Sequence, residues 1–216
     1  MSRVSGQRGH WGHPSMPANS PTQLRGRRVT LTQLAASDWP AWSEVRIRNE
    51  DWLRPWEPMR PEHQLDPARD RETFAARCIA RDRERQLGLA AGFGLFVGTA
   101  LAGEINLNNI VRGAHQSASV GYWIDSAKAG NRYVPEAVVV IACFAFEQLR
   151  LHRIEICIVP RNRNSRRVME VLGLREEGIA ERFLEIAGTW EDHVRYGMTA
   201  EEWFARREEL AAAWLS

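Results

Sequence analysis

The chain has 216 residues, of which 44% are hydrophobic, 26% charged and 9% aromatic; these are ordinary globular statistics, which exclude disorder throughout and suffice for one well-buried core. Its 29 Lys+Arg against 27 Asp+Glu leave a formal net charge of +2, too balanced for a protein that lives by neutralising a nucleic-acid backbone. Lys128 is the sole lysine and has no motif around it for Schiff-base or phosphate-loop chemistry, while no apolar run reaches the roughly 18 to 20 residues needed to cross a bilayer.

Residues 1–24 are rich in Ser, Gly, Pro and Gln, carry Arg3 and Arg8 without an acid, and show no apolar period; they read as a disordered tail ahead of a single domain over 25–216. Residues 28–32 alternate as a strand, and Ser37 is placed to cap a helix carrying Trp42, Val45 and Ile47 up to Glu50. A loop of paired tryptophans and prolines, 51–58, follows. Asp66-Pro67 reads as N-cap and first residue of an amphipathic helix holding Phe74, Cys78 and Ile79. Strand-like runs at 89–97 and 101–111 flank the turn Gly98-Thr99-Ala100, with a third strand at 117–124. Pro135 opens a helix apolar nearly all round, from Val138 to Phe146, so protein should cover both its sides. Then come a strand at 154–159, a short helix at 165–172 closed by Gly173, and two strands around Ala187-Gly188-Thr189. Thr199 with Glu202 three residues on makes a capping box for a last helix to Trp214. This is an α+β layout without repeats.

Cys78, Cys143 and Cys157 are odd in number and widely spaced, which speaks against a disulfide scaffold or a zinc module. Together with the lack of an apolar signal core, they point to a reducing cytoplasm.

The most informative stretch is Val120-Gly121-Tyr122-Trp123-Ile124-Asp125 followed by Ala129-Gly130-Asn131-Arg132-Tyr133-Val134-Pro135-Glu136-Ala137. A strand ends, a small-residue turn follows and a buried helix begins, which aims free backbone N–H groups at one spot suited to an anion such as a pyrophosphate. A strand-turn-helix with one glycine is also how an ordinary tight connection is made.

The segment resembles the acyl-CoA-binding motif of the GCN5-related N-acetyltransferases (GNAT), specifically the branch that acetylates ribosomal-protein N-termini at alanine. The likeness spans almost all of residues 27–200. Its marks are Leu53-Arg54-Pro55-Trp56, Gly103-Glu104-Ile105-Asn106-Leu107-Asn108-Asn109-Ile110, Ser119-Val120-Gly121-Tyr122-Trp123-Ile124, Leu151-His152-Arg153-Ile154-Glu155, Pro160-Arg161-Asn162-Arg163-Asn164-Ser165, Leu172-Gly173-Leu174-Arg175-Glu176-Glu177-Gly178 and Gly188-Thr189-Trp190-Glu191-Asp192-His193.

The resemblance implies a single-domain GNAT fold: a bent, mixed, mostly antiparallel sheet of about seven strands with helices on both faces. Two strands splay, and the pantetheine arm of acetyl-CoA inserts between them, paired with backbone groups of Tyr122, Trp123 and Ile124. Gly130, Asn131, Arg132, Tyr133 and Val134 would hold the pyrophosphate, and Asn162 the pantetheine. Two residues depart from the family pattern, Arg132 for the usual glycine and Val134 for a small residue. Arg132 suits the loop if close backbone approach is what glycine serves there, and not if positive φ is.

The implied reaction is direct attack of a neutral amine on the thioester in a ternary complex. A free α-amine, with a pKa near 7.7 to 8.0, is roughly one-seventh neutral at pH 7, whereas a lysine amine is neutral about once in 2,500, a gap of about 3.5 kcal/mol. Ser165 stands where this branch has its general acid for the sulfur. For the amine proton the candidate is Glu104, which shares a strand face with Asn106 and Asn108; that face serves equally as a site or as a solvated side. Trp52 and Trp56 would wall the acceptor pocket with Asn106, opposite Trp190 and Asp192.

The expected partners are acetyl-CoA and a protein N-terminus, ribosomal proteins included, in a monomer or homodimer without metal, membrane or nucleic acid. One rival keeps the fold and takes an aminoglycoside or polyamine, which needs a carboxylate cluster such as Glu50, Asp51, Glu57 and Glu104. Another is a non-catalytic acyl-CoA sensor. The dense cluster Arg161, Arg163, Arg166 and Arg167 is open to the CoA 3′-phosphate.

Overall fold

A computed structural model describes residues 23–215, so the expected tail lies outside the described residues for 1–22. Its last two positions do not: Gln23 and Leu24 belong to β1 (Gln23–Arg25), which folds back through Gly26 onto β2 (Val29–Thr32), with Leu24 paired to Leu31 and buried. β1 is the eighth strand that the expected seven lacked.

A 3-10 turn containing Ser37 leads into α1 (Trp39–Arg48) and the short α2 (Glu50–Leu53). Asp38, not Ser37, sits before α1, and Ile47 is 43% exposed, so only Trp42 and Val45 of the expected apolar set are core. The next helix, α3 (Arg71–Gln86), starts four residues later than Asp66-Pro67 suggests. Its cap is Asp70, whose carboxylate accepts the Thr73 N–H at 2.7 Å, while Asp66 accepts the Ala68 N–H and closes a separate turn. Both aspartates precede helix-forming residues, and the better-satisfied cap wins.

The sheet continues with β3 (Ala91–Val97), β4 (Ala100–Val111) and β5 (Ser117–Ile124), then α4 (Tyr133–Cys143), prolonged by a π turn at Phe144–Gln148. After it come β6 (Arg153–Ile158), α5 (Arg163–Leu172), β7 (Arg175–Ile186), β8 (Thr189–Thr199) and α6 (Ala200–Trp214). Gly173 ends α5 in the left-handed region at φ 59°, and the Thr199/Glu202 capping box opens α6, both as expected.

Strand order is β1-β2-β3-β4-β5-β6-β8-β7. α4 lies over one face within the main core, buried from Val134 to Ala142 and flanked by α5 and α6. Burying each of Val138, Val139, Val140 and Ile141 is worth about 1.5–3 kcal/mol relative to exposure. α1 and α3 cover the other face over a second cluster of Trp42, Ala68, Phe74 and Leu101.

Every neighbouring pair is antiparallel except β5 and β6, which are parallel and joined only at Ser117↔Arg153, Ala118↔Ile154 and Ser119↔Glu155. Beyond Ser119, β5 stays with β4 as far as Ile124↔Gly103, while β6 stays with β8 as far as Ile158↔Val194. The sheet therefore splits into a V between Val120–Ile124 on one side and Ile156–Ile158 on the other.

Candidate active site

In an extended strand the two backbone polar groups of a residue point to one neighbour and those of the next residue to the other. On β5 two contacts at its C-terminal end fix the phase. The Asp125 N–H reaches across to the Ala102 carbonyl at 2.7 Å, and the Trp123 carbonyl lies so close to Gly103 that a Cβ there would come within 2.1 Å of it. Trp123 therefore spends its backbone groups on β4, and Tyr122 and Ile124 direct theirs into the V. This corrects the expected set of three: the side-chain pattern gives the faces of a strand but not which edge each residue's backbone serves. The Ile124 carbonyl accepts the Trp52 indole N–H at 3.2 Å, a direct sign that it faces outward.

At the end of β5 the chain turns through a 3-10 turn, Ser126–Lys128, capped by the Asp125 carboxylate. Gly130, at φ 79°, makes a reversal open to glycine at little cost. Asn131 braces the turn by donating its side-chain amide to the carbonyls of Lys128 and Ala129. The backbone N–H groups of Gly130, Asn131, Arg132, Tyr133 and Val134 find no acceptor among the described residues. They lie at the N-terminus of α4, where the helix dipole favours an anion by about 0.3–1 kcal/mol. Arg132 adopts φ 62°, ψ 22° with its side chain exposed, so the residue that replaces glycine sits at a left-handed position, the case an arginine bears at a cost of about 1 kcal/mol.

Across the V, Asn162 caps α5: its side-chain oxygen accepts the Ser165 N–H at 3.1 Å, leaving the amide NH2 as a donor. The Tyr122 ring spans the gap and its hydroxyl donates to the Ser165 carbonyl at 3.4 Å. Burial raises the Tyr122 phenol well above its ordinary pKa, so it stays a neutral donor. Tyr122, Asn162 and Ser165 are thus gathered at the throat of the V.

The side expected to take the acceptor joins segments far apart in the chain. Arg161 stacks over Trp56, 4.8 Å from the ring centroid, donates to the Pro55 carbonyl at 3.2 Å, and pairs with Glu191 at 2.5 Å. It ties the tryptophan loop to the β7–β8 hairpin, as does the Ala187 N–H on the Glu57 carbonyl. Of the expected acceptor residues, Trp56 stands here, while Trp52 bonds to the Ile124 carbonyl of β5. Trp190 is 61% exposed, and Asp192 is turned to the hairpin, where its carboxylate accepts the Arg182 N–H at a bulge. A cavity of about 540 Å³ opens beside the loop. Three of its four carboxylates are matched by arginines, Glu57 with Arg46, Glu50 with Arg69, and Asp66 with Arg60 and Arg69, and Glu62 stands beside them.

Glu104 and Asn106 lie neither in the V nor in solvent. The Glu104 carboxylate, 3% exposed, accepts from the Trp42 indole and pairs with Arg77 at 2.6 Å. Asn106 lies in a notch beside Gly92, with its side-chain oxygen buried and unpartnered. This row of β4 is the interface with α1 and α3, so Glu104 does not present the free carboxylate expected of a base.

The expected arginine cluster is also dispersed: Arg166 turns to Tyr196 and Glu176, and Arg167 to Glu170. Sequence reasoning missed the knot in which buried Asp125 binds Arg48 at 2.5 Å and Asn49 at 2.9 Å, with the Asn49 oxygen accepting the Ser126 N–H. It fastens α1 to the start of the N–H-rich turn. Its partners stand 76 and 77 residues apart, so no local pattern reveals it.

Residues 28–175 match the family model described as the Acetyltransferase (GNAT) domain. The Bacillus subtilis (strain 168) protein named Probable N-acetyltransferase YjcK is 33% identical over 174 residues, 79% of this chain and 93% of that protein. The ribosomal protein uS5-alanine N-acetyltransferase of Escherichia coli (strain K12) is 31% identical over 183 residues, 82% of this chain and 92% of that one. Among solved structures, Mycobacterium smegmatis RimJ in complex with CoA-disulfide superposes with a TM-score of 0.81 at 30% identity, over 94% of this chain and 97% of that chain.

Proposed function

Because this chain belongs to the GNAT acetyltransferase family, we propose that it carries the acetyl group of acetyl-CoA to the N-terminal α-amine of a protein, ribosomal proteins foremost. The observation that carries the reading is the continuity of the site: the edge of β5 at Tyr122 and Ile124, which has no strand partner in β6 and spends only the Ile124 carbonyl, on Trp52, leads into five backbone N–H groups without an acceptor among the described residues at the start of α4. An extended amide-bearing arm that ends in a pyrophosphate fits that outline, by strand addition along the edge and anion capture at its end. When bound, acetyl-CoA supplies the acetyl thioester. The Asn162 amide donates to the arm, and the Ser165 hydroxyl, in the first turn of α5, gives a proton to the departing sulfur and takes back, directly or through water, the proton that the attacking nitrogen must lose. Burial raises the Cys78 thiol and pushes those of Cys143 and Cys157 up to about 11, so no cysteine among the described residues is poised as a thiolate to take the acetyl group. Transfer is direct. With Glu104 sealed under α1 and α3, the amine arrives already neutral, which favours an α-amine over a lysine by about 3.5 kcal/mol.

In the 540 Å³ cavity three of the four carboxylates are paired with arginines and, among the described residues, only Glu62 is not, which speaks against a polycationic acceptor, since that needs a cluster of uncompensated carboxylates. The names of the uS5-alanine relative and of the CoA-bound neighbour support the same reading. The test supplies labelled acetyl-CoA with peptides beginning in Ala, Ser or Thr and, in parallel, a polyamine and an aminoglycoside. Label on the peptide α-amine is expected. Label on the polycations alone overturns the acceptor assignment, and CoA binding without transfer to any acceptor overturns the enzymatic one in favour of a sensor.

A further inference from the structure

Glu136 is 1% exposed and lies in the first turn of α4, at the same positive helix end that the five free N–H groups surround. A bare carboxylate there would repel any anion the turn is built to hold. Its charge is answered from the β1–β2 hairpin: Oε1 accepts the backbone N–H groups of Arg28 and, at 2.9 Å, of Val29, and Oε2 accepts from the Arg28 guanidinium at 2.9 Å. The approach needs Gly26, where a Cβ would stand 2.7 Å from Oε1. The same guanidinium rests over the Tyr133 ring, 5.0 Å from its centroid, and donates to the carbonyls of Asn131 at 3.1 Å and Arg132 at 3.3 Å.

In a trans peptide the C=O and the following N–H point in opposite directions. Holding the Asn131 and Arg132 carbonyls toward Arg28 therefore aims the N–H groups of Arg132 and Tyr133 the other way, out into the anion site. We propose that Arg28 is a positioning residue of the cofactor loop, whose fork cancels the Glu136 charge and fixes two peptide planes so that their N–H groups face the pyrophosphate. This rests on the reading of residues 130–134 as the pyrophosphate loop. Only a planar fork makes all three contacts, and a lysine ammonium matches Glu136 without reaching both carbonyls.

The experiment compares acetyl-CoA with acetyl-pantetheine, which presents the same thioester without a pyrophosphate. For Arg28→Lys the ratio of kcat/KM on acetyl-CoA to that on acetyl-pantetheine should fall about tenfold, and the Kd for CoA by calorimetry should rise by a similar factor. Arg28→Gln, which also uncovers the Glu136 charge, should lower the ratio further. A purely structural role would depress both substrates together and leave the ratio unmoved. Should Arg28→Gln not fold, Arg28→Lys decides. A ratio within about twofold of wild type in a folded Arg28→Lys protein overturns the proposal. A wild-type chain that takes up no CoA in the same calorimeter overturns instead the underlying reading of the loop.

Discussion

At Arg132 the backbone holds φ 62°, a conformation in which a Cβ crowds the following carbonyl. Arg132→Gly should raise stability by up to about 1 kcal/mol, read as a higher melting temperature. The sequence shows that glycine is missing here; it does not show whether glycine's freedom or its smallness mattered, since φ depends on how Arg28, 104 residues away, grips the loop. Ser165 belongs to the same scale. Its N–H is spent on the Asn162 cap, while its hydroxyl remains for chemistry, so Ser165→Ala should lower kcat far more than it raises the Kd for CoA; equal effects on both would reduce the serine to a binding contact. Glu104 shows where residue-level reading stops. Strand alternation correctly sets it on one face with Asn106 and Asn108, but only tertiary packing shows that α1 and α3 cover that face.

Between elements, the knot around Asp125 ties α1 to the end of β5. Burial pushes the Asp125 carboxyl up, and hydrogen bonds from Arg48, Asn49 and the Ala127 N–H outweigh this and hold it below the ordinary range. A depressed folded-state pKa means that its stabilisation is complete above about pH 3.9, the unfolded value, and is lost as pH falls through the folded value. Asp125→Ala should therefore cost about 2 kcal/mol at pH 7 and flatten the acid limb of the stability curve below about pH 4, measured by denaturant titration across pH. Elements with strong local signals, α4 with its apolar run and α6 with its capping box, are legible from sequence. β1 is not, because three residues are too few to show a period.

For the molecule as a whole, the main core cluster joins β1 to β6 and β8 with α4, α5 and α6, and the second cluster, under α1 and α3, shares the same sheet through Leu101 of β4, so unfolding should be a single transition. A ligand that binds only the folded state at a hundred times its Kd adds about 2.7 kcal/mol. CoA at that excess should therefore raise the melting temperature by about 5–10 °C for a chain of this size; no shift would count against the site. The V between β5 and β6 also bears on how freely this sequence can drift. On the function proposed above, its recognition surface is main chain, the N–H and C=O groups of Tyr122, the N–H of Ile124 and the turn beyond, and main chain is common to all residues except proline, which lacks the donor. Most side-chain replacements along β5 therefore leave the ligand's partners in place. A binding edge of this kind can persist while the identities of its residues are rewritten, and it fails only when the path of the chain itself is changed.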